Sequence, residues 1–157
     1  MLVDPRDFTR EALRKVAPRC GECSDGGNVE MAPGSVIYPK RSDLWKWPDG
    51  TERWWWLCLS CRAYVGTYKG TIKPLGAPAG RETRRAREAA HAAFDPMWQK
   101  RQRLSGISKA KARGLGYKWL AEQLGISFKE CHIGMMDEAT AWRAMSICQN
   151  AAKGGGE

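Results

Sequence analysis

The sequence lacks the features that mark several common classes of protein. It has no run of 18 apolar residues, so we expect no membrane-spanning helix. Its first five residues offer neither the basic start nor the apolar stretch of a secretory signal, so we expect a cytoplasmic protein. It contains no P-loop, no dinucleotide-binding glycine motif, no G-x-S-x-G and no H-E-x-x-H. We therefore expect that the protein is not an enzyme.

Acidic residues are also scarce relative to basic ones. The 157 residues include 17 Asp and Glu against 26 Lys and Arg, which gives a net charge of +9. Between residues 81 and 118, 11 basic residues accompany three acidic ones, so this segment alone carries +8. A concentrated positive charge is typical of polyanion binding, although a solvated helical face is the simpler alternative. We predict phosphate contacts from Arg84, Arg85, Arg87, Lys100, Arg101, Arg103, Lys109, Lys111 and Arg113.

Four of the six cysteines form two C-x-x-C pairs. These are Cys20 with Cys23 and Cys58 with Cys61, and 34 residues separate the pairs. Two such pairs complete a tetrahedral shell of soft sulfur ligands with no open position, which favours one structural Zn²⁺. A redox C-x-x-C would not need a second pair, and disulfides would need an oxidising compartment.

The residues around the second pair predict a β-hairpin. Residues 54–57 run into Cys58 and residues 63–68 follow Cys61, so the pair lies at the hairpin tip. The turn sequence at 48–50 predicts a second hairpin, and residues 28 to 70 together suggest a small antiparallel sheet. Five of the eight tryptophans lie between residues 45 and 56. We interpret them as core residues, with a base-stacking surface that includes Trp45 or Trp47 as the alternative.

The second half of the chain is predicted to be helical. The Pro- and Gly-rich stretch 73–80 separates a zinc-ribbon domain, residues 1–78, from a basic helical domain, residues 79–157. Helices are predicted over 81–94, from Asp95-Pro96 onward, and over 137–150. Breaks are predicted at 105–108 and at 114–116, and a flexible tail at 153–157. The predicted fold is thus α+β, an N-terminal zinc-ribbon-like sheet followed by a bundle of about four helices.

Residues 117–127 fit the first helix and turn of a helix-turn-helix. Gly134, however, falls inside the segment that would read DNA, so an ordinary helical hairpin is favoured. The remaining Cys131, Cys148, His91 and His132 lack the spacing of a metal site. We interpret them as buried thiols and hydrogen-bonded imidazoles.

Several motifs occur together in an order that resembles a known family. They are the first C-x-x-C, then Trp-Leu-Cys-Leu-Ser-Cys-Arg-Ala-Tyr-Val-Gly, then Pro-Leu-Gly, then Arg-x-x-Arg-x-x-Ala-His-x-x-Phe-Asp-Pro-Met-Trp. Residues 117–126 and the sequence Cys-His-Ile-Gly-Met-Met-Asp continue the resemblance, which covers residues 17–145. The family comprises small zinc-finger-containing proteins of bacteriophages and prophages.

The resemblance implies that the four paired cysteines bind zinc and that the protein acts in a bacterial cytoplasm. It also places five residues in recurring motifs without implying roles for them: His91, Phe94, Asp95, Trp98 and His132. It implies no activity. The function predicted first is a zinc-binding accessory protein that binds DNA or RNA through its basic helices. The alternative is an interaction module that modulates or inhibits a bacterial host complex, for example a nucleoprotein defence complex.

Overall fold

The computed structural model describes residues 2–154, which fold into two compact units that divide at Arg81 and Glu82. The first unit contains a three-stranded antiparallel sheet, and the second is helical. The predicted α+β class is confirmed. None of the helices within residues 2–154 is long and apolar enough to cross a membrane.

The N-terminal unit surrounds its sheet with short helices. Its elements are α1 (Arg10–Val16), β1 (Val29–Pro33), α2 (Gly34–Ile37), β2 (Trp54–Cys58) and β3 (Tyr64–Gly66), with 3₁₀ turns at Pro5–Asp7 and Ser42–Leu44.

Strand β2 is the centre of the sheet. Its Trp56 lies opposite Met31 of β1 and Val65 of β3, and both pairings are antiparallel. The predicted hairpin of β2 and β3 is confirmed. The second predicted hairpin is reduced to one bridge between Lys46 and Glu52. The loop that follows β3 also belongs to this unit, because the N–H of Ala79 donates to the carbonyl of Tyr64 at 3.1 Å.

Tryptophans fill both faces of β2. Trp56 is fully buried and its indole N–H donates to the carbonyl of Ile72 at 2.8 Å. Trp55 is buried on the other face, where its ring meets Tyr38 edge-on at 5.7 Å. The interpretation of these two residues as core is confirmed. The guanidinium of Arg53 lies 4.5 Å from the ring centroid of Trp47, so a face of that ring is already occupied.

The C-terminal unit contains four helical segments. They are α3 (Arg81–Ser105), α4 (Lys109–Leu124), a 3₁₀ turn at Ile133–Met135, and α5 (Glu138–Gly154). The predicted break at 105–108 is confirmed, and the Ser108 hydroxyl caps α4 by accepting from the Lys111 N–H at 3.2 Å. Asp137 caps α5 by accepting from the Thr140 N–H at 2.8 Å. Lys153 and Gly154 are helical, contrary to the predicted tail, and 155–157 lie outside the described residues.

The predicted helix start at Asp95-Pro96 is wrong, because α3 continues through Pro96. Proline cannot donate to the carbonyl four residues earlier, a loss that usually breaks a helix. Here Ala92 and Pro96 are exposed, so water can reach the carbonyl that loses its donor. Phe94 and Trp98, buried on the opposite face, hold the helix on both sides of the proline.

The predicted break at Gly114-Leu115-Gly116 is also wrong, because α4 passes through both glycines. A Cβ atom at Gly116 would lie 3.1 Å from Cζ of Phe94 and 3.3 Å from Cβ of Trp98. The absence of a side chain therefore permits close contact between α3 and α4. A Cβ atom at Gly114, by contrast, would have no neighbouring atom within 4 Å.

The helix-turn-helix does not form in the described chain. Gly125 ends α4 in the left-handed conformation, with φ of 70°, as the turn of the motif requires. The residues that follow form turns and the 3₁₀ segment, and between Gly125 and Glu138 no α-helix begins. This segment instead contributes Cys131 and Ile133 to a core that also contains Phe94, Leu120 and Cys148.

The two glycines of α4 give a matched test of this packing. Gly114→Ala should stabilise the helical unit by about 0.5–1 kcal/mol, because alanine has the higher helix propensity and the position is open. Gly116→Ala should destabilise it by about 1–3 kcal/mol, because its methyl group would overpack against two buried rings. Equal effects in urea unfolding would contradict the proposed close contact.

Candidate metal centre

Two backbone turns bring the four paired cysteines together. Cys20 and Cys23 lie between α1 and β1, and Cys58 and Cys61 lie at the tip of the β2–β3 hairpin. The Sγ atoms of Cys20 and Cys61 are 3.6 Å apart, and those of Cys23 and Cys58 are 3.8 Å apart. All four Sγ atoms lie within 4.8 Å of one another.

These separations fit a tetrahedral zinc site. Zn–S bonds of about 2.3 Å at tetrahedral angles place neighbouring sulfurs about 3.8 Å apart. Four soft ligands from one chain select Zn²⁺ over oxygen-preferring cations and leave no position for substrate or water. The cluster is the site of one structural zinc, as predicted. Within residues 2–154 it is the only group of His, Cys, Asp and Glu with this convergence.

The first turn depends on Gly27. The N–H of Cys20 donates to the Gly26 carbonyl at 2.8 Å, and the Gly26 N–H donates to the Cys23 carbonyl at 3.0 Å. Gly27 then adopts φ of 66°, and a Cβ atom there would lie 2.5 Å from Sγ of Cys58. Any side chain would therefore enter the space of a metal ligand. The sequence indicates a sharp turn here, but not this contact with a cysteine 31 residues away.

The second turn closes without a glycine. The N–H of Cys58 donates to the Ala63 carbonyl, and the N–H of Arg62 donates to the Cys58 carbonyl, both at 2.8 Å. Arg62 has φ of 67° and is the only non-glycine residue in the described chain with a positive φ. A left-handed arginine costs about 1–2 kcal/mol, which the contacts of the hairpin tip must offset.

The electrostatics of the cluster favour a bound cation. Burial opposes ionisation of Cys58, but N–H groups of Cys61 and Ser60 lower its pKa to about 6. Hydrogen bonding to neighbouring thiols raises the pKa of Cys23, and burial raises the pKa of Cys20. One thiolate thus forms readily and discourages ionisation of the others. A divalent cation removes this repulsion and stabilises the fully deprotonated set.

The other two cysteines belong to the helical core. Cys131 and Cys148 are both buried, and burial raises the pKa of each thiol, that of Cys148 to about 11. Both are therefore protonated at neutral pH, as expected of packed cysteines. His132 is stacked on Tyr117 with ring centroids 5.8 Å apart, and its Nδ1 is buried without a partner in the described structure. Burial and the charge of Arg113 lower the pKa of His132.

The motif residues of α3 form one packed group. Asp95 accepts a hydrogen bond from the indole N–H of Trp98 at 3.0 Å and lies 3.5 Å from Nδ1 of His91. Phe94 is fully buried against Tyr117, with ring centroids 4.6 Å apart. Asp95, where a new helix was predicted to begin, instead lies within α3 and orients the side chain of Trp98.

The predicted phosphate contacts differ in accessibility. Arg87 is only 8% exposed and its Nε donates to the Met136 carbonyl at 2.8 Å, so it is a core residue that cannot reach a phosphate. Arg84 and Arg113 are half-buried, and Arg113 lies 5.7 Å from the ring centroid of Tyr117. The remaining six are exposed: Arg85, Lys100, Arg101, Arg103, Lys109 and Lys111.

The steric role of Gly27 predicts different effects for two glycines. Gly27→Ala should abolish stoichiometric zinc binding, as Cys58→Ser should, because the methyl group displaces a ligand. Gly50 also has a positive φ, of 86°, but has no atom within 4 Å of its would-be Cβ. Gly50→Ala should therefore retain one zinc per chain and lose only about 1–2 kcal/mol of stability. Metal analysis of the purified variants measures the difference, and full zinc content in Gly27→Ala would contradict the geometry.

The comparison with known protein families agrees with this metal centre. Residues 16–151 match a family described as a zinc-finger-containing domain. The match includes both C-x-x-C pairs, all of the sheet and most of the helical unit. No curated protein and no solved structure gives a significant match to the chain. Because the match extends over far more than half of the sequence, the chain belongs to this family of zinc-finger-containing domains.

Proposed function

We propose that this protein is a non-enzymatic accessory factor that binds DNA or RNA through the end of α3 and the start of α4. The observation that carries this proposal is the separation of charges along these helices. From residue 96 to residue 121 the chain contains seven basic residues and no acidic residue. A long stretch of one charge sign is costly for a folded surface unless an anionic partner neutralises it.

The exposed cations of this stretch are available for such a partner. Lys100, Arg101 and Arg103 lie on the last turns of α3, while Lys109 and Lys111 lie on the first turn of α4. None of the five forms an ion pair with any residue in the described part of the chain. We call this set the α3–α4 basic surface. Arg87 is not part of it, because its guanidinium is buried.

Lysines in the first turn of α4 give further support. The N-terminus of a helix carries a partial positive charge and is stabilised by acidic side chains. The first turn of α4 has no acidic residue, so Lys109 and Lys111 are unfavourably placed for the isolated helix. A bound phosphate group would reverse this effect, because helix N-termini and lysines both attract anions.

The family resemblance supports a bacterial and phage-type setting for this function. Six free cysteines suit the reducing bacterial cytoplasm, where thiols remain available for zinc. The zinc centre would act there as a structural element, because its four sulfur ligands leave no position for chemistry.

A second candidate function is binding to a host protein complex. A groove of 610 Å³ between α3 and α5 is lined mainly by apolar residues, including Ala89, Ala93 and Met145. Exposed apolar grooves of this kind often bind partner proteins. Salt dependence separates the two functions, since apolar docking depends only weakly on ionic strength.

Nucleic-acid binding through the α3–α4 basic surface should weaken steeply with salt. The logarithm of the association constant for a labelled 20-nucleotide strand should fall linearly with the logarithm of salt concentration between about 50 and 200 mM. Lys100→Gln with Arg103→Gln should reduce that slope by about 1.4, because each lost phosphate contact removes about 0.7 for a single strand. Fluorescence anisotropy measures both quantities.

Lys40→Gln is the matched control, because Lys40 is an exposed cation of the N-terminal unit. Its slope should equal that of the unmodified protein. An affinity independent of salt over this range would contradict the proposed function, and an equal loss of slope in the control would contradict the assignment to α3 and α4.

A further inference from the structure

A second feature lies beside the α3–α4 basic surface. Helices α3 and α4 enclose a cavity of 220 Å³ that opens to solvent. Its lining includes the side chains of Phe94, Trp98, Leu115 and Trp119. Gly116 also lines it, and the close approach of this glycine to Phe94 places the two helices side by side at the cavity.

The two tryptophans make this cavity aromatic. Trp98 is almost fully buried, and the hydrogen bond from its indole N–H to Asp95 fixes the orientation of the ring. Trp119 is half-buried and so remains partly open to solvent. A fixed aromatic lining is suited to a flat ring, because offset and edge-on contacts between rings contribute beyond their buried area.

Two cations lie at or beside the cavity. Arg101 lines it, and Nζ of Lys109 lies 5.9 Å from the ring centroid of Trp98. Both residues are exposed, and both belong to the α3–α4 basic surface. A ligand that fits here therefore combines a flat ring with negative charge immediately outside it.

The size of the cavity limits the ligand further. Pockets for whole drug-sized molecules occupy about 300–1,000 Å³. The volume of 220 Å³ suits a single ring system, with the charged part of the ligand remaining at the opening. A base stacked within a duplex cannot reach such a site unless it leaves the stack. An unpaired base in a single strand can enter while its phosphates contact the cations.

We infer that the cavity between α3 and α4 binds one unpaired nucleobase, and that Arg101 and Lys109 hold the phosphates on either side of it. This inference rests on the proposed nucleic-acid-binding function and specifies its substrate as single-stranded nucleic acid. Binding of this kind tolerates different sequences, because every base has a face for stacking.

Three labelled probes of equal length test this inference in the full-length zinc-loaded protein. They are a 15-nucleotide oligothymidylate, the same backbone with abasic sugars, and a 15-base-pair duplex of thymidylate with its complement. At 100 mM salt the oligothymidylate should bind about fivefold or more tightly than the abasic strand, because stacking of one base contributes at least that much. It should also bind more tightly than the duplex.

Trp119→Leu should reduce the affinity for oligothymidylate about tenfold and leave the affinity for the abasic strand unchanged. Its salt slope should remain that of the unmodified protein, because no phosphate contact is lost. Arg101→Gln should instead lower affinity for both strands and reduce the slope by about 0.7. Trp142→Leu is the control, because Trp142 is a 38% exposed tryptophan of α5 and does not line the cavity.

A measurement on the unmodified protein avoids dependence on the folding of any variant. Ultraviolet cross-linking to a 15-nucleotide strand that contains 5-iodouracil should attach the base to Trp98 or Trp119, as mapped by mass spectrometry. Cross-links only at other sites would overturn the inference.

The outcomes also separate this inference from the function on which it rests. Equal binding of the oligothymidylate and the abasic strand, with steep salt dependence for both, would overturn the base site and leave nucleic-acid binding intact. Failure of all three probes to bind at 50 mM salt would overturn the nucleic-acid-binding function and the base site together.

Discussion

The convergence of four thiolates on one Zn²⁺ is the interaction on which the N-terminal unit depends. The core around the zinc contains Cys20, Val29, Trp56, Cys58 and Ala63, and two of these five buried residues are themselves metal ligands. So small an apolar core contributes little against the conformational entropy of the chain. Structural zinc contributes about 10 kcal/mol or more in small modules. The metal thus stabilises the unit and joins the turn before β1 to the tip of the β2–β3 hairpin.

This constraint determines the details of the backbone around the site. Gly27 must lack a side chain because Sγ of Cys58 occupies the space, and Arg62 must adopt a left-handed conformation to close the second turn. The helical unit needs no such ligand, because a larger apolar core surrounds Phe94, Leu120 and Ile133. The two units therefore differ in the source of their stability, metal coordination in one and helix packing in the other.

Local spacing predicted the features that depend on local chemistry. The two C-x-x-C pairs indicated the zinc site, and the strand-like residues 54–57 and 63–68 on either side of the second pair indicated the hairpin. The errors arose where distant contacts override local preference. Pro96 and Gly116 each resemble a helix break, yet Phe94 and Trp98, buried beside both, keep α3 and α4 continuous. Arg87 looked like a surface cation, but its partner is the carbonyl of Met136, 49 residues later.

These contacts show which of the basic residues are exposed to a partner. With Arg87 in the core, the α3–α4 basic surface consists of five exposed cations that form no ion pair within the described chain, and two of them lie beside an aromatic cavity. The zinc centre lies in the other unit, where it stabilises the fold.

The most direct test of the central claim is X-ray absorption at the zinc edge of the purified protein. We expect one zinc per chain with four sulfur neighbours at about 2.3 Å and no nitrogen or oxygen neighbour. A shell that includes nitrogen or oxygen, or a folded protein without zinc, would contradict it.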